Sequence, residues 1–170
     1  GKLIIRYNRE DVEKIKNQLS NQTGKMMMRM FKGEQKRELI PSFKRYGIHP
    51  VRKPVEGRES LLLIHGLDSS ASDFNHLAEY LSLKEQWNLY VFEYKNDQSI
   101  SKSAVELGFL LGNLPDEKIS VCTKSMGALI IREYVTNEKL YKKNISKILM
   151  IVPPNHGSNL ARLRFILDLG

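Results

Sequence analysis

Four short apolar runs alternate with longer segments of helical periodicity in the last two thirds of the chain. The runs occupy residues 61–66, 89–94, 118–123 and 147–152. The segments between them carry apolar residues three or four apart and occupy residues 70–82, 100–114 and 126–136. Short apolar runs are typical of buried strands, and strands that alternate with helices are typical of a parallel sheet. The sequence therefore predicts an α/β fold, a mainly parallel sheet with helices on both faces.

Composition narrows the class of protein. The chain has 170 residues, of which 41% are hydrophobic and 27% are charged, as in an ordinary globular domain. No apolar stretch reaches the roughly 18 residues of a membrane-spanning helix. A single cysteine excludes an intramolecular disulfide and favours a cytoplasmic location, although a removed signal peptide stays open because the chain begins at Gly1. Neither zinc-ligand spacing nor a phosphate loop occurs, so we expect no metal and no cofactor.

The positive charge of the chain is concentrated near its start. Residues 1–60 hold 15 Lys and Arg against 7 Asp and Glu, whereas the remainder is neutral. This shift divides the chain into a basic N-terminal region, 1–59, and a core, 60–170, joined near Pro50 and Gly57. The basic region suits either a weak contact with an anionic surface or a solvated face, and interspersed acids favour the solvated face. Specific nucleic-acid binding is not expected.

The third apolar run is followed by Thr123-Lys124-Ser125-Met126-Gly127 and then by a helical segment. In a parallel sheet, reactive groups collect at the carboxyl ends of the strands. A serine in a sharp strand-to-helix turn projects above the sheet, and small residues two positions away on each side let strand and helix pass closely. Gly127 meets that requirement, and Thr123 stands where glycine is usual. The pattern predicts Ser125 as a nucleophile.

His65-Gly66-Leu67 follows the first apolar run. A serine that attacks an acyl group needs two backbone N–H donors for the oxyanion, one from this loop and one from the residue after the nucleophile. Leu67 and Met126 occupy those two places, so we predict that they form an oxyanion hole. We expect His65 to shape the loop rather than to transfer a proton.

Four segments together resemble the α/β-hydrolase family, and most of all its lipase and serine esterase branch. They are LLLIHGLDSSASDF, VFEYKND, ISVCTKSMGALIIREYV and KILMIVPPNHGSNLA, in the family's order over about residues 60–162. The resemblance implies a serine hydrolase that cleaves carboxylic esters through an acyl-enzyme on Ser125. It also implies a small-molecule or lipid ester as the substrate.

The chain departs from the family's catalytic triad. The family places an acid and then a histidine after the nucleophile. Asp168 is the only carboxylate after the fourth run, and His156, the only later histidine, resembles a structural loop residue. The triad's acid and base are therefore unassigned within 1–170. The chain is either a fragment truncated before the family's last strands, which we favour, or a degenerate member of the family. We expect residues 1–170 alone to be inactive.

Alternative interpretations rest on single features. A non-catalytic hydrolase-fold binding module at an anionic surface is the main alternative, because the acid and base are missing. Lys124, beside Ser125, would either favour anionic substrates or be a tolerated variant. Ser99 and Lys102 match the S-x-x-K motif of penicillin-binding enzymes, but the companion motifs are absent. Cys122 lies within a predicted strand, so we expect it to be a packed residue.

Overall fold

The structure, a computed structural model, describes residues 40, 43, 45–114 and 118–157. All of them belong to one compact unit, Glu38–Gly170. Asp168 and most of the basic region 1–59 lie outside the described residues, so the expectations for them stay predictions. The division of the chain at residue 59 likewise stays a prediction.

The described part of the chain forms one five-stranded sheet with the strand order β1-β3-β2-β4-β5. The strands are β1 (Gly47–Pro50), β2 (Glu59–Ile64), β3 (Trp87–Glu93), β4 (Ile119–Lys124) and β5 (Ile145–Ile151). Strands β2 to β5 are parallel, and β1 pairs antiparallel with β3 at the edge. A 3-10 turn (Ala71–Phe74) leads into the first of the α-helices in the described residues, which are α1 (Asn75–Ser82), α2 (Ile100–Leu111) and α3 (Met126–Thr136).

The predicted architecture is confirmed. Each of the four apolar runs contributes a parallel strand, and each periodic segment contributes a helix. Strand β1 was not predicted, because Gly47–Pro50 lies in the stretch that the sequence indicated as a connection. Its proline lies on an edge strand, where a missing backbone N–H is tolerated. Among the described residues, no helix is long and apolar enough to cross a membrane.

Side chains that alternate along the strands form two apolar layers, one on each face of the sheet. Leu62 and Ile64 of β2 face α2 and α3, where they join a buried cluster with Phe92, Val121, Leu107 and Ile130. Leu61 and Leu63 face α1 and pack with Val91, Phe74 and Ala78. Because successive side chains of a strand point to opposite faces, a run that is apolar throughout requires cover on both sides. The helices on the two faces supply that cover.

Cys122 belongs to the layer under α1 and is 2% exposed. Burial raises the pKa of its thiol to about 11. The thiol therefore stays protonated and packed at neutral pH, which agrees with its interpretation as a core residue rather than a nucleophile.

A glycine sets the contact between α2 and α3. A Cβ atom built on Gly108 of α2 would lie 2.9 Å from Cε2 of Tyr134 in α3. The Tyr134 ring is fully buried, and its hydroxyl donates a hydrogen bond to Asn144 Oδ1 at 2.9 Å. Because this hydrogen bond fixes the ring, the ring cannot move aside for a larger residue on α2.

We expect Gly108→Ala to destabilise the protein. Alanine favours the helical backbone by about 1 kcal/mol, but overpacking of a fixed core contact costs about 1–3 kcal/mol. Gly112→Ala is the matched control, since the one close contact of its new Cβ would be the flexible end of Lys142, 2.8 Å away, and the next atom, the Phe109 carbonyl oxygen, lies at an ordinary 3.4 Å. Urea unfolding of both variants measures the difference. A Gly108→Ala protein as stable as the Gly112→Ala protein would contradict the packing argument.

Candidate active site

Ser125 occupies the turn between β4 and α3 in a strained conformation. Its backbone angles are φ 50° and ψ −119°, in a region that residues with a Cβ atom rarely adopt. The Ser125 N–H donates to the carbonyl of Ile151 at 2.9 Å, and the Ser125 carbonyl accepts from the Ala128 N–H at 3.0 Å. Strand β5 and helix α3 thus hold the turn from both sides, and such strain is typical of functional sites.

Helix α3 passes very close to the end of β2. A Cβ atom built on Gly127 would lie 2.6 Å from the carbonyl oxygens of both Ile64 and His65, which no real side chain could do. Glycine is therefore required here, as the motif predicts. Thr123, at the other flank of Ser125, is fully buried, and its hydroxyl donates to the Leu149 carbonyl at 3.4 Å. The core accommodates its branched side chain where glycine is usual.

The loop after β2, residues 65–70, lies directly against Ser125. A Cβ atom on Gly66 would lie 3.1 Å from Ser125 Cβ and 3.7 Å from Ser125 Oγ. Leu67 follows Gly66, and Met126 follows Ser125, so both backbone amides lie within one residue of this contact. As the first residue of α3, Met126 carries an N–H that has no partner within its helix. The structure therefore brings the predicted donors and the predicted nucleophile to the same edge of the sheet.

His65 anchors the start of this loop. Its side chain is completely buried, and its ring stacks on Tyr94 with the centroids 4.3 Å apart. Nδ1 lies 2.9 Å from the Gly66 carbonyl oxygen, and Nε2 lies 3.3 Å from Oε2 of Glu93, a contact with the length of an ion pair rather than the alignment of a hydrogen bond. The Tyr94 hydroxyl donates to the His65 carbonyl at 2.7 Å. These contacts fit a residue that shapes the loop.

Lys124 contacts Asp73 across the site. Its ammonium donates to Oδ2 of Asp73 in the 3-10 turn that follows the 65–70 loop. The Lys124 charge is therefore matched by a carboxylate of this chain, which favours the interpretation of Lys124 as a tolerated variant rather than an anion-binding residue. The pair also ties the turn at Ser125 to the segment that contains Leu67.

The sequence did not indicate Glu93 and Asp73 as residues of the site. Glu93 is the last residue of β3, so it lies at the carboxyl edge of the sheet where reactive groups collect. That rule, applied to β3 as well as to β2 and β4, would have identified Glu93. No comparable signal identifies Asp73, because its partner lies 51 residues away along the chain.

Both carboxylates titrate below their usual range. Burial alone would raise the pKa of Glu93, but its contacts with the His65 ring and with the Ala71 N–H outweigh burial and lower the pKa. Burial would also raise the pKa of Asp73, whereas the hydrogen bond and the charge of Lys124 lower it. The ionised form of each side chain is thus more stable in the folded chain than in the unfolded chain.

Other residues singled out in the sequence have structural roles or stay unassigned. Ser99 is the N-cap of α2, where its hydroxyl accepts from the Lys102 N–H at 3.2 Å, so the S-x-x-K match is a helix cap. His156 lies exposed in the turn after β5, next to Asn155, whose side chain accepts from Arg132 at 2.6 Å. Within residues 45–114 and 118–157, no cluster of metal-ligating side chains occurs.

We expect the protein to lose stability in acid through these two carboxylates. Because their pKa values are lower in the folded state, their contribution is complete above the unfolded-state values and is lost as the pH falls through the folded values. Urea midpoints measured between about pH 7 and pH 3 should therefore decline. The decline should be shallower in an Asp73→Asn/Glu93→Gln double variant. If the urea midpoint declines as steeply in that variant as in the unmodified protein, Asp73 and Glu93 are not responsible for the loss. Glu85→Gln is the control, because the Glu85 side chain is 77% exposed.

Comparison with known proteins agrees with this architecture. No family model matches the sequence, and no curated protein matches it either. The mature form of the lipase BlEst2 from Bacillus licheniformis matches with a TM-score of 0.52 and 18% identity, over 74% of this chain and 53% of that chain. The carboxylesterase CesB from Bacillus subtilis matches with a TM-score of 0.50 and 16% identity, over 67% of this chain and 41% of that chain.

The chain spans about half, or less, of the length of these two proteins. At such low identity the likeness concerns the fold alone. The strand order, the helices on both faces and the likeness to a lipase and a carboxylesterase lead to one conclusion: this chain has the α/β-hydrolase fold.

Proposed function

We propose that this chain carries the nucleophile and the oxyanion hole of a serine hydrolase that cleaves carboxylic esters. One observation carries the proposal: Ser125 has a positive φ of 50° at the β4–α3 turn, with the 65–70 loop packed against it. The conformation is unusual because ψ of −119° places Ser125 outside the left-handed helical region, which is where residues with a Cβ atom adopt a positive φ at least strain. A strained serine at the carboxyl edge of a parallel sheet is suited to nucleophilic attack.

The reaction begins with attack of Ser125 Oγ on the ester carbonyl. The serine proton passes to a base that is unassigned in residues 1–170, and the carbonyl oxygen becomes an oxyanion. The N–H groups of Leu67 and Met126 stabilise this oxyanion, and the N-terminus of α3 adds its positive potential. The tetrahedral species collapses, the alcohol leaves with a proton, and an acyl-enzyme remains on Ser125. Water then hydrolyses the acyl-enzyme and releases the acid.

The substrate class rests on the fold and on its relatives. A lipase and a carboxylesterase share this fold, which supports a small-molecule or lipid ester as the substrate. The two backbone N–H donors act on a substrate whose carbonyl oxygen becomes an oxyanion, as in an ester. Losing one such donor costs about 3–4 kcal/mol of transition-state stabilisation. A cytoplasmic location and a weak contact of residues 1–59 with an anionic surface stay predictions.

We expect a fluorophosphonate probe to label Ser125 in the full-length protein. The probe reacts with serines that a neighbouring base has activated, and it forms a bond to Oγ that survives denaturation. Ser125→Ala should abolish both labelling and hydrolysis of p-nitrophenyl esters, a loss of about 10⁴-fold or more. Mass spectrometry of the labelled peptide identifies the modified residue.

Ser101→Ala is the matched control, because Ser101 is an exposed serine on α2. This variant should label and hydrolyse like the unmodified protein. Full esterase activity in Ser125→Ala would refute the proposal. A folded full-length protein that neither labels nor hydrolyses any ester would favour the non-catalytic binding module instead.

A further inference from the structure

We propose that Glu93 is a positioning residue that orients the Leu67 N–H through His65 and thereby sets the geometry of the oxyanion hole. This inference rests on the proposed function. The contacts of Glu93 are with His65 and Ala71 rather than with Ser125. Its effect would pass through the buried His65 ring to the peptide group between Gly66 and Leu67.

The two oxygens of Glu93 hold the two ends of one segment. Oε2 lies 3.3 Å from Nε2 of His65, at the start of the 65–70 loop. Oε1 accepts a hydrogen bond of 2.7 Å from the N–H of Ala71, where the 3-10 turn begins. A single side chain at the end of β3 thus fixes both the beginning and the end of the loop that carries Leu67.

The His65 ring carries this constraint to Leu67. Nδ1 lies 2.9 Å from the carbonyl oxygen of Gly66, to which it can only donate. That carbonyl and the Leu67 N–H belong to the same planar, trans peptide group, so they point in opposite directions. Fixing the Gly66 carbonyl on the His65 ring therefore fixes the direction of the Leu67 N–H.

The ring itself has little freedom to turn. It is completely buried, it stacks on Tyr94 at 4.3 Å with an interplanar angle of 8°, and the Tyr94 hydroxyl holds the His65 carbonyl. Since the Gly66 carbonyl can only accept, Nδ1 of the ring carries a proton. Both ring nitrogens face oxygen atoms, so a ring that carries two protons donates to the Gly66 carbonyl and forms an ion pair with the Glu93 carboxylate.

Two substitutions of Glu93 separate the effect of its polar contacts from the effect of its side-chain volume. Glu93→Gln keeps an oxygen for the Ala71 N–H and places an amide N–H against Nε2 of His65. A ring protonated only at Nδ1 then accepts from this amide and still donates to the Gly66 carbonyl. Glu93→Leu keeps the volume but removes both contacts, which leaves the Ala71 N–H and Nε2 of His65 without a partner.

The experiment measures kcat and KM of the full-length protein on a p-nitrophenyl ester, together with amide hydrogen exchange over residues 65–71. We expect Glu93→Leu to lower kcat by about 100-fold with little change in KM, because a misplaced donor acts on the transition state and not on ground-state binding. We expect Glu93→Gln to recover most of kcat. Exchange should be faster over this segment in Glu93→Leu and close to the unmodified rate in Glu93→Gln.

Glu106→Leu is the control, because Glu106 is a half-buried glutamate on α2 that accepts from Gln98 at 2.8 Å and belongs to a different segment from residues 65–71. Unchanged kcat in a folded Glu93→Leu protein, or equal loss of kcat in both Glu93 variants, would overturn the inference. If the unmodified protein neither hydrolyses esters nor labels at Ser125, the proposed function fails by itself. Hydrogen exchange then still decides whether Glu93 holds the loop, and unchanged exchange in Glu93→Leu would overturn that as well.

Discussion

The close approach of α3 to the end of β2 is the constraint on which the site depends. The α-carbon of Gly127 comes so near to the carbonyls of Ile64 and His65 that a side chain there would lie 2.6 Å from both oxygens. To reach this position directly after β4, the chain must turn sharply at Ser125, and that turn requires a positive φ. The same approach brings Gly66 against Ser125. A steric requirement at one glycine thus places Ser125 and the 65–70 loop in contact.

Charged side chains stabilise the contact between the turn at Ser125 and the 65–70 loop. The pair of Lys124 and Asp73 joins the turn at Ser125 to the segment after the 65–70 loop, and Glu93 joins the end of β3 to both ends of that loop. The first pair is partly exposed, so salt and solvent screen it. The contact of Glu93 with the buried His65 ring is shielded from solvent, and it therefore supplies the more rigid connection of the two.

The fold could be predicted because the signals that specify it are local. Each parallel strand is an unbroken apolar run, and its alternate residues fill two layers. For the candidate site, the rule that parallel strands end at one edge of a sheet predicted that Ser125 and Gly66 would lie close together, as they do. Strand β1 was missed because four residues with a terminal proline give no periodic signal. Asp73 was missed because its role comes from a contact with a distant segment, which periodicity does not describe. Glu93 was missed although it ends β3, where the same rule indicates it.

The buried thiol of Cys122 has a practical consequence for spectroscopy. It is the only sulfhydryl of this chain, it is 2% exposed, and burial raises its pKa to about 11. Maleimide and methanethiosulfonate reagents react with thiolates, so they will leave this position unmodified while the chain is folded. Spin labels or fluorophores can therefore be attached at cysteines introduced on the surface without first removing the native one. Distances across the molecule become measurable in a background that keeps its own core intact.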